Sequence, residues 1–510
     1  MIVKAACAAV QGVDAFRVDL EVDFSRRGMP VFTMVGLAEG ALREARERVF
    51  AALRSSGFNL PPARITINLA PADRRKTGSG FDLPVALGLL AASGALPEQA
   101  LDGWFSVGEL SLTGEVKPVP GVLPIAVLAR AEKAKGILVP GKNTAEAAVV
   151  GTVPVYGVHS LGQAASFLAG TLDLAPAVFD AAASLGEAEL PALDFSEVKG
   201  QEHAKRAIEI AAAGGHNLIF IGPPGSGKTM LAQRIPTILP PLVFDEALEV
   251  TAIYSVAGLL DGRGLITRRP FRSPHHSVSD FGLIGGGGLP RPGEVSLAHR
   301  GVLFLDELPE FRKTTLESLR QPLEDGRVTI ARAALSLTYP ADFMLVAAMN
   351  PCPCGFRTDP RHRCTCRPDA VQRYMARLSG PLLDRIDLHV DVPAVPCDDL
   401  QAPLDMDARH SSTAMRERIL TARAVQAQRL NGTPCRLNAD LNGKLLEEHC
   451  ALGRPEQAFL RQAMRALALS ARAYTRILRI SRTIADLDNA AAIRVEHLAE
   501  AVNCRTLDRK

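Results

Sequence analysis

The sequence lacks any apolar run long enough to cross a membrane. Its best stretch, Leu83–Leu96, is interrupted by Pro84, Gly88 and Gly94. It also falls short of the roughly 18 residues that a spanning helix needs. Met1–Val10 has no long apolar core followed by a cleavage site, so no export signal is read there. Strong charge of one sign is missing too: 58 basic and 55 acidic residues leave a formal net charge of +3. That balance neither demands nor excludes a nucleic-acid partner, and any basic surface has to be local. The 9 cysteines are odd in number and mostly scattered, which excludes a disulfide framework. These absences place the chain in the cytoplasm. No repeat of solenoid length is present.

What is present is a globular composition, 47% hydrophobic and 22% charged, in a chain of 510 residues. That length predicts about three domains. In residues 1–172, Arg64–Leu69 alternates as a strand does and Ala41–Leu53 has an amphipathic helical pattern. The apolar stretch Phe81–Ala92 follows a Gly-rich turn at Thr77–Gly80, and Gly136–Val139 reads as a short buried strand, so the class expected is α+β. Residues 173–197, rich in Ala, Pro and acidic side chains, read as a linker. In residues 198–402 the strand Asn217–Ile221 runs into a glycine loop and a helix opens at Lys228. Further buried strands follow at Val302–Leu305 and Met344–Met349. This order predicts a parallel α/β sheet with its chemistry at the C-terminal strand ends. Residues 403–510 are helix-dominated, with the signal in Met415–Leu430 and Glu456–Leu487.

Gly222, Pro223, Pro224, Gly225, Ser226, Gly227, Lys228 and Thr229 complete the phosphate-loop pattern. Glycines let backbone N–H groups point inward around phosphates, and the helix behind them presents its positive end. Lys228 is expected on the β and γ phosphates of ATP, and Thr229 on Mg²⁺. Asp306 and Glu307 leave the strand Val302–Leu305: Asp306 is expected to hold Mg²⁺ and Glu307 to polarise the attacking water. Asn350 ends the third strand and is placed to orient that water. For Arg385 two readings stand, an arginine finger reaching a neighbouring subunit's ATP or an intrachain salt bridge with Asp384 or Asp387.

The glycine loop, Leu303–Phe311 (LFLDELPEF), Met349–Gly355 (MNPCPCG) and Leu382–Leu388 (LLDRIDL) together resemble the ComM/YifB family of Mg-chelatase-like AAA+ proteins. The resemblance spans nearly the whole chain. It implies a multidomain α/β fold: a Lon-protease-like α+β domain of ribosomal-S5 type, an AAA+ core and a helical lid. It also implies a homo-hexameric helicase promoting branch migration in natural transformation, with single-stranded and branched DNA, and a recombinase, as partners. Phe271–Gly293, with Arg272, His275, His276 and Gly285–Gly288, corresponds to an insertion directed at the ring's pore. His275 and His276 read as loop or subunit-contact residues, not metal ligands. Around Arg327–Arg332 a hairpin is expected. Arg327 and Arg332 either meet DNA phosphates or lie on a solvated surface. Arg472, behind a Ser470 cap, resembles the nucleotide-sensing arginine of the lid, with Arg479 as runner-up.

Cys352, Cys354, Cys364 and Cys366 form two Cys-x-Cys pairs. Four thiolates enclose Zn²⁺ tetrahedrally with no open position. The alternative is a reduced, metal-free loop, and His362 stands as a substitute ligand. Arg357, Arg361, Arg363 and Arg367 add local positive charge. In the first domain, Ser79 falls near the nucleophile of the Lon family, but the expected lysine position holds Ile125, with Lys117 outside the pattern. A Ser–Lys mechanism needs that base, so the domain reads as non-proteolytic. The rivals to a DNA motor are a Mg-chelatase subunit acting on a porphyrin partner, an ATP-dependent protease, and a nucleotide-switched regulatory protein.

Overall fold

Ile2–Gln11 and Asp14–Ser25 pair antiparallel as one long hairpin in a computed structural model of the chain. The structure describes every residue except 1, 28, 37–38, 75, 77, 187–192, 288–289, 333–334, 360, 396–407, 506 and 508–510. The hairpin lies within a seven-stranded sheet. Its order is Val31–Val35, Arg64–Ala70, Asp14–Ser25, Ile2–Gln11, Trp104–Ser106, Gly136–Pro140, Val155–Val158. The expected helix at 41–53 spans Glu39–Ser55. The apolar stretch after Thr77–Gly80 is the helix Asp82–Ser93, whose residues from Asp82 to Ala92 are all buried. A helix covered all round has no polar face to give it a period. Its buried Asp82 is paired with Arg48 at 2.7 Å.

The second sheet has five strands in the order Phe271–Arg272, Val302–Leu305, Met344–Met349, Leu218–Ile221, Leu388–Asp391. Every pairing in it is parallel. Its middle strands are buried on both faces, so they read as short apolar runs without alternation. Phe271–Arg272, expected as the start of an insertion, is instead the sheet's edge strand. The insertion proper follows it, with the helix Asp280–Ile284 and a short ladder of Gly285–Gly286 on Arg291–Pro292.

The C-terminal part is helical: Ser412–Arg429, Gly443–His449, Arg454–Ala466, Ala471–Leu487 and Val495–Asn503. The stretch expected at 456–487 is two helices. They separate around Ala468, which has φ 51°, and Ser470 caps the second by accepting from the Ala473 N–H at 3.2 Å. These helices share their core with the sheet: Phe220 and Val346 join Ile419, Ile477 and Leu498 in one cluster. The expected linker lies partly outside the described residues. Its end is docked, with Phe195 fully buried and its N–H donating to Ser412 Oγ at 3.0 Å. Among the described residues no helix is long and apolar enough to cross a membrane.

Candidate active site

The sheet order puts the glycine-loop strand beside Met344–Met349, which in turn adjoins Val302–Leu305. Three chain segments therefore leave the same sheet edge side by side. Gly222, Asp306 and Asn350 are the first residues beyond them. Gly225 and Gly227 have φ of 73° and 91°, with open space where a side chain would stand, so the loop between strand and helix is an open cradle. Gly227 caps the helix Lys228–Ile238. Lys228 is buried and its ammonium donates to the carbonyls of Gly222 and Pro223, each at 2.8 Å, and to Asn350 Oδ1 at 3.3 Å. Burial pushes its pKa down from the ordinary lysine value. Thr229 Oγ1 donates to Asp306 Oδ2 at 2.7 Å, and Asp306 Oδ1 accepts from the Glu307 N–H at 2.9 Å. A hydroxyl and a carboxylate held together beside this open glycine loop fit ATP with Mg²⁺. Glu307 has φ 52°, the strained left-handed conformation that clusters at active sites. Its Oε2 lies 3.4 Å from His276 Nδ1, a contact that sequence reasoning missed.

Arg385 pairs with Glu324 and donates to the Pro381 carbonyl at 2.5 Å. Neither Asp384 nor Asp387 is its partner in these contacts. Those two aspartates face the helical part instead. Asp384 pairs with Arg472, which is 70% exposed, whereas Arg479 is spent on the Leu441 carbonyl at 2.6 Å. Asp387 accepts from Arg476 Nε at 3.1 Å and from the Asn217 N–H at 3.2 Å. It thus ties the C-terminal helix Ala471–Leu487 to the start of the glycine-loop strand. Burial alone would raise the Asp387 carboxyl, but contact with His216 and the charge of Arg476 bring it down to about 2. Its folded pKa is below the unfolded value of about 3.9. It therefore stabilises the fold above about pH 4, and that contribution is lost as the pH falls toward 2. Asp387→Asn is expected to cost about 3–5 kcal/mol near neutral pH, the penalty for leaving one buried partner uncompensated. The gap between the two proteins should narrow by about 2.6 kcal/mol as the pH drops through that window, read from melting curves.

The expected hairpin is present: Arg327–Arg332 pairs antiparallel with Leu335–Pro340. Val328, Ile330, Leu337 and Tyr339 face inward, while Arg327 is exposed. The Arg332 side chain lies outside the described residues. On the edge strand Arg272 is held by Glu294 at 2.6 and 2.8 Å.

Cys352, Cys354, Cys364 and Cys366 converge with all four Sγ atoms within 4.8 Å of one another. Three of their separations are 3.4, 3.7 and 3.6 Å. A tetrahedron with Zn–S bonds of about 2.3 Å has edges of about 3.8 Å, so these thiols fit zinc. His362 turns to Asp359 instead, at 3.1 Å. The loop leans on the phosphate loop: at Gly355 a Cβ would stand 2.6 Å from Pro224 Cδ.

In the N-terminal part Ser79 bonds to Glu109. It lines a cavity of about 740 Å³ together with Ile125, Tyr339 of the hairpin and Arg291 of the insertion. No lysine lines that cavity among the described residues. Lys117 is paired with Glu115 at 2.6 Å.

Comparisons with known proteins agree with this architecture. The family model for magnesium chelatase, subunit ChlI, matches residues 194–400. Subunit ChlI of Mg-chelatase matches 20–143, and the ChlI C-terminal family matches 409–505. Fold and site thus define a Mg-chelatase-like AAA+ protein, of an ATPase family. The chain is 45% identical over 503 residues to the competence protein ComM of Haemophilus influenzae, covering 98% of this chain and 97% of that protein. It is 44% identical over 502 residues to the protein YifB of Escherichia coli, with 98% and 96% covered. The chain belongs to the ComM/YifB family. The magnesium-chelatase 38 kDa subunit of Rhodobacter capsulatus is more distant: 25% identical over 260 residues, 45% of this chain and 70% of that subunit.

Proposed function

We propose that this chain is an ATP-driven DNA translocase, a cytoplasmic homo-hexameric ring that promotes branch migration on recombining or transforming DNA. Thr229 and Asp306 at 2.7 Å, beside Lys228 in contact with Asn350, carry the ATPase half of this reading. Full-length likeness to a competence protein supports the DNA half. When bound, ATP with Mg²⁺ supplies the phosphoryl group whose transfer to water drives the motor. Lys228 and the loop amides hold the β and γ phosphates, and Thr229 and Asp306 hold the metal. Glu307 accepts the proton of the attacking water, which Asn350 orients. Arg385 completes a neighbour's site, and Arg472 senses the nucleotide from the lid. Arg327, with Arg332, tracks the phosphates of a strand in the pore. The division follows the sequence: a Lon-like domain over 1–172, a linker to 197, a core over 198–402 carrying a zinc-bound loop of four cysteines, and a lid over 403–510. The Ser79–Glu109 bond, and a cavity with no lysine among the described residues that line it, support a first domain that cleaves no peptide.

The test is ATP-dependent branch migration on labelled three- and four-stranded junctions, with Glu307→Gln as control. Loss of the general base should lower turnover by roughly 10²–10⁴-fold while ATP still binds. Strand exchange by the wild type alone supports the motor. A wild type that hydrolyses ATP but ignores every DNA returns the protein to the chelatase-like or regulatory readings.

A further inference from the structure

The two edges of the seven-stranded sheet differ. At Val155–Val158 the edge is covered, with the Ala177 N–H donating to the Val155 carbonyl at 2.8 Å. At the other end stands Val31–Val35, paired in parallel with Arg64–Ala70, from Val31 on Arg64 to Val35 on Asn68. Among the described residues its backbone makes no hydrogen bond outside that pairing. Open edges are ordinarily blunted by a charge, a proline or a bulge. This strand has none of them. Its five residues are Val-Phe-Thr-Met-Val in unbroken register, and Val31 and Val35 are 50% and 52% exposed.

Beside the open edge lies a cavity of about 310 Å³, with Phe32, Phe50, Phe58 and Leu60 in its wall. Its charged lining residues are Arg46 and Arg54, and no carboxylate lines it among the described residues. Neither guanidinium has an acidic partner there: Arg54 is exposed, and Arg46 lies over the Phe32 ring, 5.5 Å from its centroid. Two more exposed arginines, Arg26 and Arg27, follow Ser25, which shares its level in the sheet with Arg64 and Val31.

These features select the chemistry of a partner. A free row of strand N–H and C=O groups pairs with another polypeptide backbone, and nucleic acid has no such row. Phe32 and Phe50 meet edge-on at 5.3 Å and 77°, and one face of Phe32 is taken by Arg46. These rings therefore offer no platform on which bases could stack. Unpaired guanidinium groups beside an apolar slot match carboxylates, which they bind in a fork.

We propose that the Val31–Val35 edge and its groove dock an extended acidic segment of another protein. The segment adds a strand to the sheet, seats an apolar side chain among Phe32, Phe50 and Phe58, and pairs its carboxylates with Arg46 and Arg54. None of these residues belongs to the ATP site, so the contact tethers the ATPase to a partner without changing its chemistry.

The full-length chain is used to select from a library of short random displayed peptides, and enriched sequences are labelled and titrated by fluorescence anisotropy. They should carry Asp or Glu beside β-branched or aromatic residues, and bind more weakly as salt rises. Arg46→Glu combined with Arg54→Glu should weaken binding roughly 30-fold or more, as two surface ion pairs turn into repulsions. Arg46→Lys with Arg54→Lys keeps the charge and should stay within a few-fold of wild type. ATP turnover and melting temperature should match wild type in both. Arg46→Gln with Arg54→Gln removes the charge without reversing it, and should weaken binding at an unchanged melting temperature even if the glutamates disturb the fold. A library that yields no acidic peptides overturns the proposal, as do peptides that bind the glutamine and glutamate variants as tightly as wild type. A labelled single-stranded oligonucleotide that loses its affinity in those variants, with no acidic peptide selected, makes this a nucleic-acid surface instead. A lowered oligomeric mass makes it a face between copies of the chain, and sinks the docking of a partner equally.

Discussion

Arg385→Ala will lower the maximal rate of ATP hydrolysis by roughly 10³–10⁵-fold, the range for losing an arginine finger, while ATP affinity and melting change little. Within one chain the guanidinium is paired with Glu324. If that ion pair were its whole role, the loss would be slight. Glu324 is 59% exposed, and pairs open to solvent contribute about 1 kcal/mol or less. Magnitude therefore separates the two roles. Glu324→Gln removes the intrachain partner alone and should leave turnover within a few-fold of wild type. Arg385→Lys should not rescue, because an ammonium cannot reproduce the planar fork. Mixing gives the sharpest result. Arg385→Ala chains have an intact phosphate loop, and Lys228→Ala chains have an intact Arg385. Two inactive proteins that regain turnover on mixing place Arg385 in the neighbour's site; two that stay inactive together refute that placement.

The parts of this site that are contiguous in sequence were legible in it. The glycine loop, the Asp306–Glu307 exit and Asn350 each follow a buried strand, and the strand ends meet because parallel neighbours align their C-termini. The hairpin at Arg327–Arg332 and the Ser470 cap were legible for the same reason, since alternation and capping are local. Contacts between distant segments left no local trace. His276 meets Glu307 only because the edge strand is Phe271–Arg272, two residues long and too short for any periodicity to register. Asp387 reads as one more acid in a charged turn, yet it joins the helix Ala471–Leu487 to the start of the glycine-loop strand. The hairpin Ile2–Ser25 was missed because Ile2–Gln11 is buried on both faces through its middle, which erases alternation.

The second large effect should come from the cysteine loop. Cys352 is fully buried and lies two positions after Asn350, whose side chain accepts from Lys228. Gly355, at φ 86°, brings the same loop against Pro224 of the phosphate loop. Four thiols within 4.8 Å of one another thus stand behind one wall of the ATP site. Structural zinc contributes about 10–16 kcal/mol in small zinc-dependent folds, so its loss would release the loop and, with it, the support of Asn350 and Pro224. The expected outcome is about one zinc per chain in the purified protein. In Cys352→Ser the metal should be lost and ATP turnover should fall about 10–100-fold, the scale at which disturbed support around a site acts. Metal analysis supplies a readout independent of activity. A metal-free wild type, with Cys352→Ser hydrolysing ATP normally, would leave four reduced thiols packed in a loop. The ATP site would then owe its geometry to the parallel sheet alone.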